Sequence, residues 1–297
     1  MIYDCIVVGS GCAGLTTALN LARSGRSVLV LESDSFGGQI AFAPKVENFP
    51  TIQEISGADF SERLCDQVLS HGAEIDLGKV QKVVKRGEKD FIVVSEYGQY
   101  QCRSVVLATG AKHRHLGFEK EKRFEGKGVG YCAVCDGAFY QGKSVCVLGD
   151  GNSALQYALY LANICPRVTI VTLFDRFFGD NQLVKRVLEA SNVDWLKNKN
   201  TVDFLGEEKF EGLIFADGSE LKCSAVFIAI GQIPDNKAFE ELIELDKNGY
   251  IVAQDNCKTA VLGVYAAGDC RTKQLRQLTT AAADGATCAF NVNQYLG

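Results

Sequence analysis

The chain is predicted to be α/β, with two Rossmann-like dinucleotide-binding domains. Three observations carry this. A strand, a Gly-rich turn, a helix and a second strand follow one another at the N-terminus. The same pattern recurs from Ser144, and further apolar strands each stop at a glycine. The repeat distance is far too long for a solenoid, so a domain type is duplicated. At roughly 150 residues per domain, 297 residues make about two domains. With 31 Lys+Arg against 36 Asp+Glu, a net charge of -5 and no basic run, nucleic acid and anionic membrane are excluded as partners. A hydrophobic content of 47% and a charged content of 23% are those of a soluble globular protein. No stretch approaches the roughly 18 apolar residues of a membrane span. The N-terminus has no basic region of the kind that opens a signal peptide, and Ile2 to Val8 already forms a core strand.

In chain order, Tyr3 to Val8 is the first strand, Gly9-Ser10-Gly11-Cys12-Ala13-Gly14 the turn, and Leu15 to Leu21 the apolar-periodic helix. Ser27 to Leu31 is β-rich and ends at Glu32. Ser104 to Ala108 runs into Thr109-Gly110. The second copy comprises Ser144 to Leu148, Gly149-Asp150-Gly151-Asn152-Ser153-Ala154, a helix through Leu161, and Val168 to Val171. Ala225 to Ile230 ends at Gly231, and Gly263 to Ala267 closes on Gly268-Asp269. A small-residue helix from about Leu278 to Tyr295 ends the chain. Hinges are expected in the polar stretch after Gly110 and in the Gln232-Ile233-Pro234-Asp235-Asn236 turn.

The first turn carries a complete fingerprint. Gly9 permits the tight turn, Gly11 lets backbone approach a pyrophosphate, and Gly14 lets the helix pack on the strand. The helix N-terminus offers N–H groups and a positive dipole to phosphate. Glu32, with Ser33 beside it, lies where a carboxylate accepts from a ribose hydroxyl. That acid repels a 2′-phosphate, so FAD or NAD fits this turn and NADP does not.

Twelve cysteines are scattered, and among them Cys132 and Cys135 alone form a C-x-x-C. No second pair and no histidine follows at zinc spacing, so no metal site is expected. The other ten read as small buried hydrophobes in a reducing cytosol. Two cysteines this close, at a turn opening into a helix, can form a disulfide and favour one thiolate. Asp136 adjoins the second, where it can exchange a proton as the thiolate forms and leaves.

The chain resembles the low-molecular-weight thioredoxin reductase family over nearly its whole length. Besides the two turns, the resemblance rests on Phe36-Gly37-Gly38-Gln39-Ile40, Val46-Glu47-Asn48-Phe49-Pro50, Ala108-Thr109-Gly110, Cys132-Ala133-Val134-Cys135-Asp136-Gly137, Tyr265-Ala266-Ala267-Gly268-Asp269 and Arg276-Gln277-Leu278. It implies FAD in the first site and a thioredoxin reductase-like fold with the second domain inserted in the first. The implied parts are residues 1–113 and 239–297 for the FAD domain and 114–238 for the C-x-x-C domain. Cys135 is implied to receive electrons from the flavin, Cys132 to attack the thioredoxin disulfide, and Asp136 to be the acid. Gly38, Gln39 and Asn48 line the flavin in this picture. Asp269 holds the ribitol, and Arg276, Gln277 and Leu278 sit by the isoalloxazine. A cytoplasmic homodimer with a rotating middle domain is also implied.

The second turn departs from the family's pattern. NADPH recognition calls for cations at the 2′-phosphate, ideally arginines. Where NADPH-using members carry a His-Arg-Arg cluster and a further Arg, this chain has Thr172, Leu173, Phe174 and Phe177, with Arg176 displaced. Asp150 places a carboxylate inside the phosphate turn. Phe174, Phe177 and Phe178 are expected in the core or filling the cleft, with a partner-docking patch as the alternative. The chain therefore resembles the ferredoxin-dependent flavin branch. The expected function is transfer of electrons from reduced ferredoxin, through FAD and the Cys132–Cys135 dithiol, to thioredoxin. The alternatives are an NADPH-dependent thioredoxin reductase with atypical recognition, and a small-molecule dithiol oxidase, which Asp136 disfavours. A non-enzymatic flavin sensor predicts a bound flavin that exchanges no electrons with thioredoxin.

Overall fold

The computed structural model of the protein describes residues 2–43, 46 and 48–297. Glu47 of the Val46–Pro50 motif lies outside the described residues. The chain divides into two compact units, Met1–Lys112 with Ile233–Gly297, and His113–Gln232. The second crossing falls after residue 232, not at the expected 238/239 boundary. Asn236 explains the shift. Its Nδ2 donates to the carbonyls of Gly249 and Cys270 at 2.9 Å each, and its Oδ1 accepts from Thr109 Oγ1 at 2.7 Å. Phe239, 2% exposed, joins the core of the first unit.

The first unit is built on a parallel five-stranded sheet. Its order is Val264–Ala266, Val105–Leu107, Cys5–Val8, Val28–Glu32 and Glu74–Leu77. Alternate residues face opposite sides, so a sheet buried on both faces needs near-continuous apolar strands. Cys5, Val7, Val28, Val30 and Val106 pack towards the helices Cys12–Arg23, Gly57–Ser70 and Leu278–Leu296. Ile6, Val8, Leu29, Leu31, Val105 and Leu107 join the core on the opposite side. A four-stranded sheet of Ile2–Tyr3, Gln99–Cys102, Asp90–Ser95 and Val80–Gly87 contributes Phe91 and Val93 there. The expected single strand from Ile2 is thus two strands broken at Asp4, whose carboxylate accepts from the Ser27 N–H and from Arg103 Nη1.

The second unit repeats the plan. Its parallel sheet runs Val129–Gly130, Ala225–Ile228, Ser144–Leu148, Arg167–Val171 and Val193–Leu196. Val145, Val147, Val168, Ile170 and Phe227 pack towards the helices Asn152–Ala162 and Asn181–Glu189. Cys146, Leu148, Val226 and Ile228 pack towards an antiparallel three-stranded sheet spanning Thr201 to Lys222. The fold class is the one expected, and the two Gly-rich turns join the strand Cys5–Val8 to the helix Cys12–Arg23 and the strand Ser144–Leu148 to the helix Asn152–Ala162. No helix among the described residues is long and apolar enough to cross a membrane.

Candidate functional site

In the second unit Cys132 and Cys135 form a disulfide with Cα atoms 5.2 Å apart. Cys132, in extended conformation, caps the short helix Ala133–Asp136, and its carbonyl accepts from the Asp136 N–H at 3.0 Å. The pairing follows from that turn, because C-x-x-C on one helical turn places residues i and i+3 side by side. Cys132 is half-buried and Cys135 exposed, so the pair is open to a substrate. Asp136 is half-buried, and burial pushes its carboxyl up to about 6. Such a group keeps its proton to a higher pH than an exposed carboxyl and can release it to a leaving thiolate.

The first unit carries the other expected residues. A Cβ on Gly14 would stand 2.0 Å from the Gly9 carbonyl oxygen, and one on Gly9 2.4 Å from that of Ala108. A Cβ on Gly11 meets nothing within 4 Å, so the backbone of the turn is open at this residue. Gly38 closes on Gly11, where its own Cβ would be 3.0 Å from the Gly11 Cα. Gly268 packs on Ala13. The Cys12 thiol donates to the Leu278 carbonyl at 3.6 Å. Asn48 Nδ2 donates to Gln277 Oε1 at 3.0 Å, and the Arg276 guanidinium lies 4.4 Å from the Tyr250 ring. Gln39 is exposed on the short helix Gly38–Phe42, and Gly110 follows Thr109 at φ 70°.

Glu32 ends the strand Val28–Glu32, and its oxygens already brace the loop. Oε2 accepts from the Ser10 N–H at 2.7 Å and the Ser10 hydroxyl at 2.8 Å. Oε1 accepts from the N–H groups of Ser33 at 2.8 Å and Asp34 at 3.1 Å. Asp269 is the opposite case. Its Oδ1 is buried with no hydrogen-bond partner among the described residues, and burial raises its carboxyl above the usual range. Leaving such an acceptor unsatisfied costs about 1–3 kcal/mol, which a ligand hydroxyl relieves. An open glycine turn at a helix N-terminus together with an orphaned carboxylate oxygen fits FAD, its pyrophosphate on the turn and a ribitol hydroxyl on Asp269.

Sequence patterns did not single out the group that holds the Asp269 loop. Asp284 accepts from Arg271 Nε at 2.9 Å and Nη2 at 2.8 Å, from Lys273 Nζ at 2.9 Å and from the Gly268 N–H at 2.9 Å. These residues are 11 to 16 apart, outside any helical or strand period, so no local signal marks them.

At the second turn the scaffold is the same and the rim differs. Cβ atoms on Gly149 and Gly9 would each stand 2.4 Å from a strand carbonyl, that of Ala229 and of Ala108 respectively, and Gly151 is as open as Gly11. The Phe178 N–H donates to the Asp150 carbonyl at 2.8 Å, folding the following loop onto the turn. Thr172, fully buried at the strand end, accepts from Trp195 Nε1 at 2.9 Å and donates to the Phe174 carbonyl at 2.6 Å. Phe177, half-buried, stacks on Trp195 with centroids 4.4 Å apart and packs against the edge of the core. Phe174 and Phe178 are 47% and 54% exposed and so are not core. Thr172 caps the strand and turns the chain outward there. Among the described residues no group of three or more His, Cys, Asp or Glu side chains is placed to hold a metal ion.

A family model described as pyridine nucleotide-disulphide oxidoreductase matches residues 3–285. The thioredoxin reductase of Bacillus subtilis (strain 168) is 37% identical over 301 residues, covering 99% of this chain and 95% of that protein. The 34.2 kDa protein in the rubredoxin operon of Clostridium pasteurianum is 36% identical, covering 99% and 97%. The crystal structure of thioredoxin reductase from Streptococcus pyogenes MGAS5005 matches with a TM-score of 0.93 at 34% identity, covering 99% of this chain and 98% of that one. The atypical thioredoxin reductase TRi of Desulfovibrio vulgaris Hildenborough matches with a TM-score of 0.54 at 29% identity, covering 99% and 98%. The chain belongs to the pyridine nucleotide-disulphide oxidoreductase family and, within it, to the thioredoxin reductase-type flavin disulfide oxidoreductases.

Proposed function

We propose that the protein reduces thioredoxin with electrons from reduced ferredoxin, through FAD and the Cys132–Cys135 dithiol, without NADPH. One observation carries the choice of donor: none of Thr172, Leu173 and Phe174, the residues that follow the strand Arg167–Val171, is a cation. Thr172 spends its hydroxyl on Trp195 and Phe174, and exposed Leu173, Phe174 and Phe178 stand in the loop beyond. The Arg176 guanidinium lies on the Phe178 ring, 4.7 Å from its centroid. A 2′-phosphate needs charge-assisted donors, and apolar side chains supply none. The Asp150 carboxylate in the turn adds repulsion towards a pyrophosphate.

FAD, when bound, supplies a two-electron store and a place to pair electrons that a ferredoxin delivers singly. The residues that would hold it are the Gly9–Gly14 turn, Ser33, Gly38, Gln39, Asn48, Thr109, Gly110, Gly268, Asp269, Arg276, Gln277 and Leu278, with Glu32 fixing the turn. On the substrate side, Cys132 attacks the thioredoxin disulfide as a thiolate, and one substrate sulfur leaves. Cys135 then attacks Cys132, re-forming the disulfide and releasing the second sulfur. Asp136 gives a proton to a leaving thiolate.

A second reading has specific support: Gly149 and Gly151 keep the geometry of Gly9 and Gly11, so the backbone cradle of a pyridine nucleotide is present. Anaerobic titration of the flavin-loaded protein with NADPH, NADH and then reduced ferredoxin, followed by flavin absorbance, separates the two. Bleaching by ferredoxin alone, with later transfer to thioredoxin, is the expected result. Bleaching by NADPH at a useful rate overturns the choice of donor and leaves an NADPH thioredoxin reductase.

A further inference from the structure

Tyr131, the residue before Cys132, is tied to the protein at three places. Its hydroxyl donates to Glu121 Oε1 at 2.7 Å. Its ring stacks on His113, with centroids 5.1 Å apart, and meets His115 edge-on at 5.1 Å. Its main-chain carbonyl accepts from the Tyr157 hydroxyl at 3.1 Å.

Glu121 is the anchor of this set. It is 2% exposed, and besides Tyr131 it accepts from the Leu116 N–H at 3.0 Å on Oε1 and the Gly117 N–H at 2.7 Å on Oε2. Every one of these partners is a donor, which suits an acceptor-only carboxylate. With the Tyr131 hydrogen directed at Glu121, His115 Nδ1, 2.8 Å from the same hydroxyl oxygen, carries the hydrogen of that contact. His115 Nδ1 also lies 3.5 Å from Glu121 Oε1.

We propose that Glu121 is a positioning residue for the Cys132–Cys135 couple, acting through Tyr131. This rests on the disulfide being the redox centre. Reduction takes two electrons and two protons, breaks the S–S bond and leaves two thiols; re-oxidation requires those thiols to meet again. Fixing residue 131 at ring, hydroxyl and carbonyl removes freedom from the chain that carries Cys132. The effective concentration of one thiol for the other then rises, and the disulfide is favoured over the open dithiol.

The test uses the full flavin-loaded chain. Tyr131→Phe keeps the ring and deletes the hydroxyl, whereas Glu121→Gln turns an N–H towards one of the donors around it. Each protein is equilibrated in graded thiol–disulfide buffers, and the Cys132–Cys135 peptide is scored by thiol trapping and mass. The half-reduction point of both variants should move about tenfold towards the dithiol, which is about 30 mV for a two-electron couple. Val187→Ala, a buried substitution on the helix Asn181–Glu189, should leave it in place despite a lower melting temperature. A folded Tyr131→Phe with the wild-type half-reduction point overturns the proposal, and it decides the matter if Glu121→Gln does not fold. Cys132→Ser separates the premise: if that variant still turns over a small aromatic disulfide, the disulfide is not the redox centre. If it is inactive while Tyr131→Phe shows no shift, the positioning role alone is lost.

Discussion

Asp136 carries a pH dependence whose sign follows from its burial. Its carboxyl, ordinarily at 3.8, is pushed up to about 6, so the folded chain holds this proton more tightly than the unfolded chain. The neutral form is the favoured one. Stability from this group is complete below the unfolded value and falls as pH rises from about 4 to about 6. A shift of this size is worth at most about 3 kcal/mol, and about 1–2 kcal/mol after screening at a half-buried position. Asp136→Asn should therefore raise stability above pH 6, as measured by denaturant unfolding of the oxidised protein. The same substitution should remove the titration near 6 from the rate of thioredoxin reduction and slow that rate about 100-fold. A variant that keeps the wild-type pH profile would show that another group supplies the proton.

The glycines of the first turn answer to different elements, and substitutions can tell them apart. Gly14→Ala drives a methyl to 2.0 Å from the Gly9 carbonyl, so the helix Cys12–Arg23 must lift from the sheet. A loss of about 2 kcal/mol or more is expected, along with loss of flavin. Gly11→Ala projects into open space at φ -69°, so stability without ligand should hold within about 0.5 kcal/mol while flavin retention falls. Gly151→Ala should change neither stability nor turnover if nothing binds the second turn. Thermal unfolding of the flavin-stripped chains and flavin absorbance after gel filtration read all three. These roles were legible because a strand, a glycine turn and a helix are contiguous. The antiparallel sheets were less so: strands such as Gly212–Phe215 are short and paired through contacts that leave no period of their own. Least legible were Glu121 with Tyr131, and Asp284 with Arg271 and Lys273. Each joins donors that the fold, not the spacing, brings together. Glu32 was legible in position but not in use, since its braces are loop N–H groups that every residue type supplies.

At the scale of the whole molecule, each unit has cores of its own, and the chain crosses between the units twice. Calorimetry should resolve two transitions, because units of this kind need not unfold together. Added FAD should raise the transition of the first unit by about 2.7 kcal/mol at a hundredfold excess over its dissociation constant and leave the other in place. NADPH should move neither, and an NADPH-dependent rise in the second transition would sink the ferredoxin reading.

The two turns also show which parts of such a site are tied to the rest of the protein. Gly9 and Gly149 face strand carbonyls at the same 2.4 Å, so each is demanded by its own sheet whether or not a ligand is present. Exposed rim side chains such as Leu173 can change with the sheet intact, while a substitution at the inner glycine disturbs the domain itself. A glycine signature of this kind therefore reports first on how a helix seats against its sheet, and only its rim reports on what the turn can hold.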